Sequence, residues 1–424
     1  MNRIYQDSYH TQEADLRSSS LTVPFAERFC LLIICLYYFL PLAVQAIRVA
    51  GFVVILFVWL FSTARRKALY LSTVFLSLLG LWIILELTIG SWLPYTESIY
   101  DRLKSSYTTL CFFIPGLIFL SYQKKREEKP ARFVSNASLI LLVLGIINTY
   151  LVLRMYPLAS RILASGSIES SYFSKMGAGG YGYVYAIALL IPCLLYIALE
   201  NKRIRILFFI LTLFVIILLL KASYTIALFI VFLGVVFSLL ARKKWHFYLL
   251  TVLALVTFLF ITNDQIGRIM VYVANLFGEG TVLSRKFLDV SKYFLSGIIG
   301  SSSSGRLAVY LNTLDAIKQS PVFGAMTSGV DGAKHTSWPD LYATYGVFSM
   351  FPIFLHILIQ KAIYETINHR YKIAYGVVLA LFWFLGFFNP VHTQLVIGFT
   401  VYLLVPAMFG TFIQNSSDKT KGTE

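Results

Sequence analysis

The chain has 424 residues, of which 58% are hydrophobic and 13% charged. A soluble domain of that size carries roughly a quarter charged residues, so the composition excludes an ordinary soluble enzyme and points to helices in lipid. The net charge of +16 would suggest a nucleic-acid partner in a soluble protein. Here the basic residues stand between apolar runs and report topology, and no nucleic-acid partner is expected.

Residues 1–28 are polar, with no short apolar stretch followed by a small-residue cleavage site, and read as a cytoplasmic tail. Apolar runs follow at 29–45, 49–63, 69–90, 107–122, 134–153, 180–199, 206–220, 225–240 and 247–262, then at 347–363, 373–388 and 394–413. The fold class expected is an all-α polytopic membrane protein with about twelve transmembrane helices. Residues 29–262 hold spans one to nine, and 347–413 hold spans ten to twelve. Between spans nine and ten, 263–346 form a large extracytoplasmic loop containing short helices, and 414–424 form a C-terminal tail. Lys and Arg gather in alternate connections, among them Arg65-Arg66-Lys67, Lys124-Lys125-Arg126, Lys202-Arg203 and Arg242-Lys243-Lys244. The positive-inside rule then places both termini of this inner-membrane chain in the cytoplasm.

Two outer loops exceed what a connection requires. One runs over about 154–179; the other is 263–346, too rich in apolar and aromatic residues to read as disordered. Within it, Gly305 to Gln319 predicts an amphipathic helix with Leu307, Tyr310, Leu311, Leu314 and Ile317 on one face. Ser304 is placed to cap it and Pro321 to stop it. A second helix is expected from Ser337, with Ser337 as cap, Asp340 as the reciprocal capping residue and Pro339 in the first turn. Gly346 leads into the tenth span.

The candidate chemistry sits in these loops. Arg306, expected in a first turn beside free backbone N–H groups, makes a phosphate or pyrophosphate site, with a contact to Asp315 or a lipid headgroup as the plainer reading. His335 lies just before the second helix with Asp331, Lys334 and Asp340 around it, suited to accepting a proton from a sugar hydroxyl or steadying a phosphate. Arg161 and Lys175 add outward cations ahead of a glycine run. Lys221 lies in a short outer turn, where interfacial snorkelling is its plainer reading. Glu86 lies inside an apolar span, where acids are often functional, but near enough to an end to reach water; His392 in the Asn389–Thr393 loop is a weaker candidate for lining the outer cavity. The chain has no phosphate-binding Gly-Lys-Ser/Thr loop, no HExxH and no Cys/His cluster. Its four cysteines (Cys30, Cys35, Cys111 and Cys193) fall in or beside apolar runs, with no disulfide framework. No metal and no cofactor are expected.

The stretch Gly305-Arg306-Leu307, then Asp315-Ala316-Ile317-Lys318-Gln319-Ser320-Pro321-Val322-Phe323-Gly324, then His335, then Tyr345-Gly346, resembles the O-antigen polymerase/ligase superfamily. Its members show an arginine opening a loop helix, a Ser/Asn-Pro-x-x-Gly turn, a histidine starting the next helix and a glycine before the next span. Arg161 followed by Gly177 is similar to a spacing in polymerases. Thr336 stands where many members have Asn after the histidine, and Tyr224 where many have Arg after a serine. The resemblance implies a glycosyltransferase that polymerises undecaprenyl-pyrophosphate-linked oligosaccharide repeat units into O-antigen or capsular polysaccharide, without metal, at the outer face of the membrane. It implies that Arg306, Arg161, Lys221 and Lys175 hold pyrophosphate and that His335, aided by Asp331, Asp340 and Lys334, positions or deprotonates the acceptor. Membrane lipid and a chain-length regulator would be its partners. Two rival readings are a ligase that transfers glycan to lipid A–core and a flippase for the lipid-linked unit.

Overall fold

The computed structural model describes residues 25–41, 51–59, 73–92, 99–124, 128–165, 168–240, 262–278, 280–297, 301–325, 335–369 and 371–412; the side chains at 301–307 lie outside this description. Among the described residues the secondary structure is helix, without strands. α1 (Phe25–Phe39), α2 (Thr73–Trp92), α3 (Ile99–Lys124) and α4 (Glu128–Met155) precede two short helices, α5 (Ala159–Ser165) and α6 (Ile168–Lys175). α7 (Tyr181–Glu200), α8 (Arg205–Ala222) and α9 (Thr225–Leu240) follow. Then come α10 (Asn263–Leu276), α11 (Val282–Ser296), α12 (Ser301–Gln319) and α13 (Trp338–Tyr345). The chain ends in α14 (Met350–Thr366), α15 (Lys372–Phe388), α16 (Leu395–Phe399) and α17 (Val405–Phe412).

Among the described residues, five stretches are long and apolar enough to cross a membrane: Leu103–Gln123, Lys129–Met155, Tyr181–Glu200, Arg205–Ala222 and Trp338–Thr366. Shorter apolar helices cover Phe75–Thr88, Thr225–Leu239, Lys372–Phe388 and Leu395–Thr411. Nearly all of the span expected at 247–262, the ends of that at 49–63, residues 1–24 and residues 413–424 lie outside the described residues.

α7 is the centre of the bundle. Every residue from Gly182 to Ala198 is buried, the expected fate of a helix that is apolar on all sides. α8 and α4 behave differently. Ile206, Leu213 and Phe214 on α8 are 75%, 57% and 54% exposed, and Ile140 on α4 is 63% exposed. A continuous outward apolar face of this kind is a liability in water. In hydrocarbon it is the natural outer surface of a helix whose backbone polar groups are satisfied internally.

Between α16 and α17 the chain widens into a π turn, Thr400–Leu404, in which the Val405 N–H reaches Thr400 O. Pro406 follows, and its ring has no N–H to offer and would crowd the carbonyl four residues back. The Val401 carbonyl that Pro406 cannot serve accepts instead from Tyr375 Oη at 3.2 Å.

The long loop holds four helices among the described residues. The antiparallel pair α10 and α11 is an addition to the two expected helices. α10 opens with a full capping box between Thr262 and Gln265, and Thr281 caps α11. α12 begins at Ser301, a turn before the expected Gly305, so Ser304 does not cap it and Arg306 lies in its second turn. Serine has middling helix propensity, so the run 301–304 does not stop a helix as Gly or Pro would. The face turned inward also differs from the expected one: Leu311 and Leu314 are each 49% exposed, while Thr313 and Ala316 are buried. Thr313 Oγ1 donates to the buried Asp340 carboxylate at 2.8 Å. A buried carboxylate short of donors costs more than two half-exposed leucines.

Ser337 stands at the N-cap of α13 as expected, but its side chain makes no cap bond; the residue before it, Thr336, exchanges hydrogen bonds with Asp340. Thr336 N–H donates to Asp340 Oδ2 at 2.5 Å, and Asp340 N–H donates to Thr336 Oγ1 at 3.2 Å. The Ser320–Gly324 turn docks on the far end of this helix, where Val347 N–H donates to Val322 O at 2.9 Å. Gly324 and Gly346 both take left-handed φ values, +59° and +55°. A Cβ on Gly324 would stand 2.6 Å from Thr344 O, and one on Gly346 would overlap the Val322 carbonyl. The Pro-x-x-Gly and Tyr-Gly elements are therefore two halves of one backbone contact.

Candidate functional site

A cavity of about 370 Å³ opens where α2 ends and α3 and α14 begin, roofed by α13 and closed by the 391–394 turn. Its size falls in the range of small-ligand sites. Each helix contributes residues four apart, the spacing that aligns side chains on one face. α2 gives Trp82 and Glu86, α13 gives Leu341 and Tyr345, and α14 gives Pro352 and His356. α3 gives a double stripe, polar near the helix start (Lys104, Ser105, Thr108, Thr109) and aromatic deeper down (Phe112, Phe113). His392, Thr393 and Gln394 complete the wall.

Glu86 is buried (4% exposed). Its carboxylate accepts from Ser105 Oγ and, at 3.2 Å, from Ser106 Oγ. Hydroxyl donors at this spacing keep a buried carboxylate hydrogen-bonded.

His392 sits in a 3₁₀ turn, Val391–Thr393, fastened to the start of α13 by Ser337. The buried Ser337 Oγ donates to Asn389 O at 3.0 Å and accepts from Val391 N–H at 2.6 Å. It also lies 3.0 Å from His392 Nδ1. Ser337 thus serves the turn rather than its own helix. Burial holds the His392 imidazole down at about 4, with the nearby Asp340 charge opposing that shift, so the ring is neutral near pH 7. The helix α13 is further pinned by Trp338, whose Nε1–H donates to Trp383 O at 2.8 Å.

His356 is packed among Phe112, Phe113, Trp338 and Phe382 at centroid distances of 4.8 to 5.5 Å. Its Nδ1 lies 2.6 Å from Tyr402 Oη. Tyr402 in turn receives Gln360 Nε2–H at 3.2 Å, and Gln360 Oε1 receives Trp383 Nε1–H at 2.8 Å. Tyr402 stands in the π turn, a local widening common at functional sites.

The residues expected to carry chemistry are spread around this cavity. His335 is exposed, one residue before the buried Thr336 and Ser337, and does not line the cavity. Asp340 is buried beneath it as the α13 cap. Arg161 donates to Ser223 O and lies 6.0 Å from the Tyr224 ring, while Tyr224 Oη donates to Ser160 O at 2.7 Å. Residues 160–161 and 223–224 thus form a reciprocal clasp, and Ser223 in it has a left-handed φ of +59°. Lys221 and Lys175 are exposed in the last turns of α8 and α6. Arg306 has its backbone in α12. Asp331 and Lys334 lie outside the described residues. The clasp and the cavity share one end of the bundle, because Tyr181 packs on Tyr224 at 6.1 Å and Gly182 abuts Gln394. His392, a weaker candidate from sequence, does line the cavity, and Glu86 lines it too. Lys104, Ser105 and His356 were missed, although the polar pairs four apart at the head of an otherwise apolar helix were a readable signal. Among the described residues no three His, Cys, Asp or Glu side chains converge to hold a metal ion.

The apolar outward faces and the buried polar cavity define a helical membrane protein with a ligand-sized site at one end of its bundle. No family model, curated protein or solved structure matches the chain.

Proposed function

We propose that the protein is a repeat-unit polymerase of a surface polysaccharide, using undecaprenyl-pyrophosphate-linked oligosaccharide at the outer face of a bacterial inner membrane through which it passes about twelve times. The observation that carries this reading is the cavity: a buried carboxylate, an ammonium, two imidazoles and several hydroxyls among aromatic walls. Hydroxyl-rich, C–H-faced sugar rings need that mixture, whereas a site for pyrophosphate alone would hold cations without Glu86. The cavity takes the acceptor sugar. Arg306, Arg161, Lys221 and Lys175 are assigned to the pyrophosphate of the donor, and His335 to the mouth of the site.

In the proposed reaction the acceptor oxygen bonds to the donor's anomeric carbon as the bond from that carbon to the pyrophosphate oxygen breaks. The acceptor proton passes to Glu86, and undecaprenyl pyrophosphate leaves with its charge held by the loop cations. Positioning and charge stabilisation supply the rate enhancement. Deletion of the gene in its native host tests the reading. Surface glycan cut to a single repeat unit supports a polymerase. Long polymer stranded on the carrier would make the protein a ligase, and units trapped on the cytoplasmic side would make it a flippase.

A further inference from the structure

Among the described residues the α10–α11 hairpin lines no part of the cavity, and its two helices sort their side chains by polarity. In α10, Ile266, Ile269, Val273 and Leu276 recur at intervals of three and four. In α11, Leu283, Phe287, Val290 and Phe294 do the same, so each helix carries one apolar stripe. The helices close on small residues: Gly267 and Ala274 are buried, and a Cβ on Gly267 would overlap Leu295. Phe277, at the end of α10, stacks on Phe287 at 5.6 Å with the rings nearly parallel. That contact sets both stripes on the same side of the hairpin. The other side is polar. Asp264 and Arg268 form an ion pair of 2.9 Å there, and Asn275, Arg285 and Lys292 are exposed.

The two stripes are unequally covered. Leu283 is buried and Phe287, Val290 and Phe294 are half-buried, whereas Ile269 and Leu276 on α10 are 47% and 67% exposed. Tyr272 and Tyr293 are exposed as well, and a ring with one apolar end and one wet end suits a membrane interface. We propose that the hairpin lies on the lipid surface at the cavity end of the bundle, its apolar side sunk among the headgroups and its charged side in water. Amphipathic helices bury their apolar faces at the boundary of headgroups and acyl chains. Two observations choose lipid as the occupant. The apolar run 247–262 of the sequence leads straight into Thr262, the cap of α10, so the hairpin springs from the end of a lipid-soluble stretch. Further, α11 packs on α12, whose Leu311 and Leu314 also face outward; one lipid surface accounts for both sets of outward side chains. Since α12 packs in turn on α13, the hairpin fixes the level of the cavity roof relative to the headgroups. The docking does not depend on the proposed function; on that reading it sets the cavity at the depth of a lipid-linked donor's phosphates.

The test is spin-label EPR of the full chain in nanodiscs of phosphatidylethanolamine and phosphatidylglycerol. One nitroxide at a time is attached through Ile269→Cys, Leu276→Cys, Asn275→Cys or Lys292→Cys. All four positions are exposed, so the label fits without repacking, and the four native cysteines are buried. Relaxation by oxygen, which concentrates in lipid, is compared with relaxation by a water-soluble nickel chelate. The expected result is that oxygen dominates at positions 269 and 276, and nickel at positions 275 and 292. Adding Ile269→Asp to the Leu276→Cys chain should shift that label toward the nickel chelate. Nickel dominating at all four positions would place the hairpin in water and overturn the proposal. Low access of both reagents to positions 269 and 276 would mean that protein covers the face, a second copy or another part of this chain, and would overturn it equally. Because the readout is depth and not glycan length, this result stands or falls apart from the polymerase reading.

Discussion

Ser337 Oγ lies 3.0 Å from His392 Nδ1 and joins the roof of the cavity to its wall across a separation of 55 residues. The same oxygen takes the Val391 N–H and gives its proton to Asn389 O. Ser337→Ala removes this shared partner and leaves the Val391 N–H and the Asn389 carbonyl with only the 2.9 Å bond between them, at a cost of about 1 kcal/mol for a lost buried hydrogen bond. A lowered thermal midpoint in detergent is expected, together with a loosened His392 ring in a histidine NMR spectrum. An unchanged midpoint would mean that the remaining contacts of α13, from Trp338 to Trp383 and from Thr313 to Asp340, hold it without the Ser337 hydroxyl.

The contact between Gly324 and Gly346 makes a second prediction. A left-handed φ costs a non-glycine residue roughly 1–2 kcal/mol, and a Cβ on Gly346 would also overlap a carbonyl. Gly346→Ala should therefore be the more damaging of the pair Gly346→Ala and Gly376→Ala, since a Cβ at Gly376 meets nothing within 4 Å. Midpoints from thermal unfolding of the two variants check this.

His392 gives a pH dependence with a definite sign. Its imidazole is held at about 4 in the folded protein, against about 6.5 when unfolded. Above pH 6.5 neither state binds the proton and the group contributes nothing to the slope. As pH falls from about 6.5 toward 4 the unfolded chain gains a proton that the folded one refuses, and stability declines. His392→Asn keeps a polar atom near the Nδ1 position and removes the titration. The wild type should lose thermal midpoint more steeply than the variant between pH 6.5 and 4.5; parallel curves would mean that His392 does not carry the slope.

How far the sequence could be read depends on what each feature needs. Apolar length and the placement of Lys and Arg are local properties, and they foretold a helical bundle. The Pro-x-x-Gly and Tyr-Gly elements could be seen as motifs, but their meeting required the fold, because Gly324 and Gly346 are brought together by α13 and not by spacing. Asp340 was legible as a cap; its partner was not, since Ser337 is the better capping residue by type and is withdrawn by the 391–392 turn. Arg161 shows the opposite case. An outward arginine beside glycines suggests an anion, but nothing in the spacing foretells that one of its N–H groups also ties down the Ser223 carbonyl in the clasp. His356 and Glu86 were hardest, because a polar residue in an apolar span declares a site without saying which neighbours complete it.

Charge handling by Arg306 and its companions makes a further prediction: transfer by the purified protein should proceed in excess EDTA. Loss of activity that a divalent ion restores would require a metal in the proposed mechanism.

The most direct test of the central claim, that transfer takes place in the cavity beside Glu86, is complementation of the deletion host with Glu86→Gln, reading surface-glycan length by electrophoresis alongside the amount of protein in the membrane. Glutamine keeps the size of the side chain and can still meet Ser105 and Ser106, but it cannot take the acceptor proton. The account predicts wild-type protein levels with glycan stopped at a single repeat unit. A normal ladder of long chains from this variant would contradict it and remove the cavity carboxylate from the reaction.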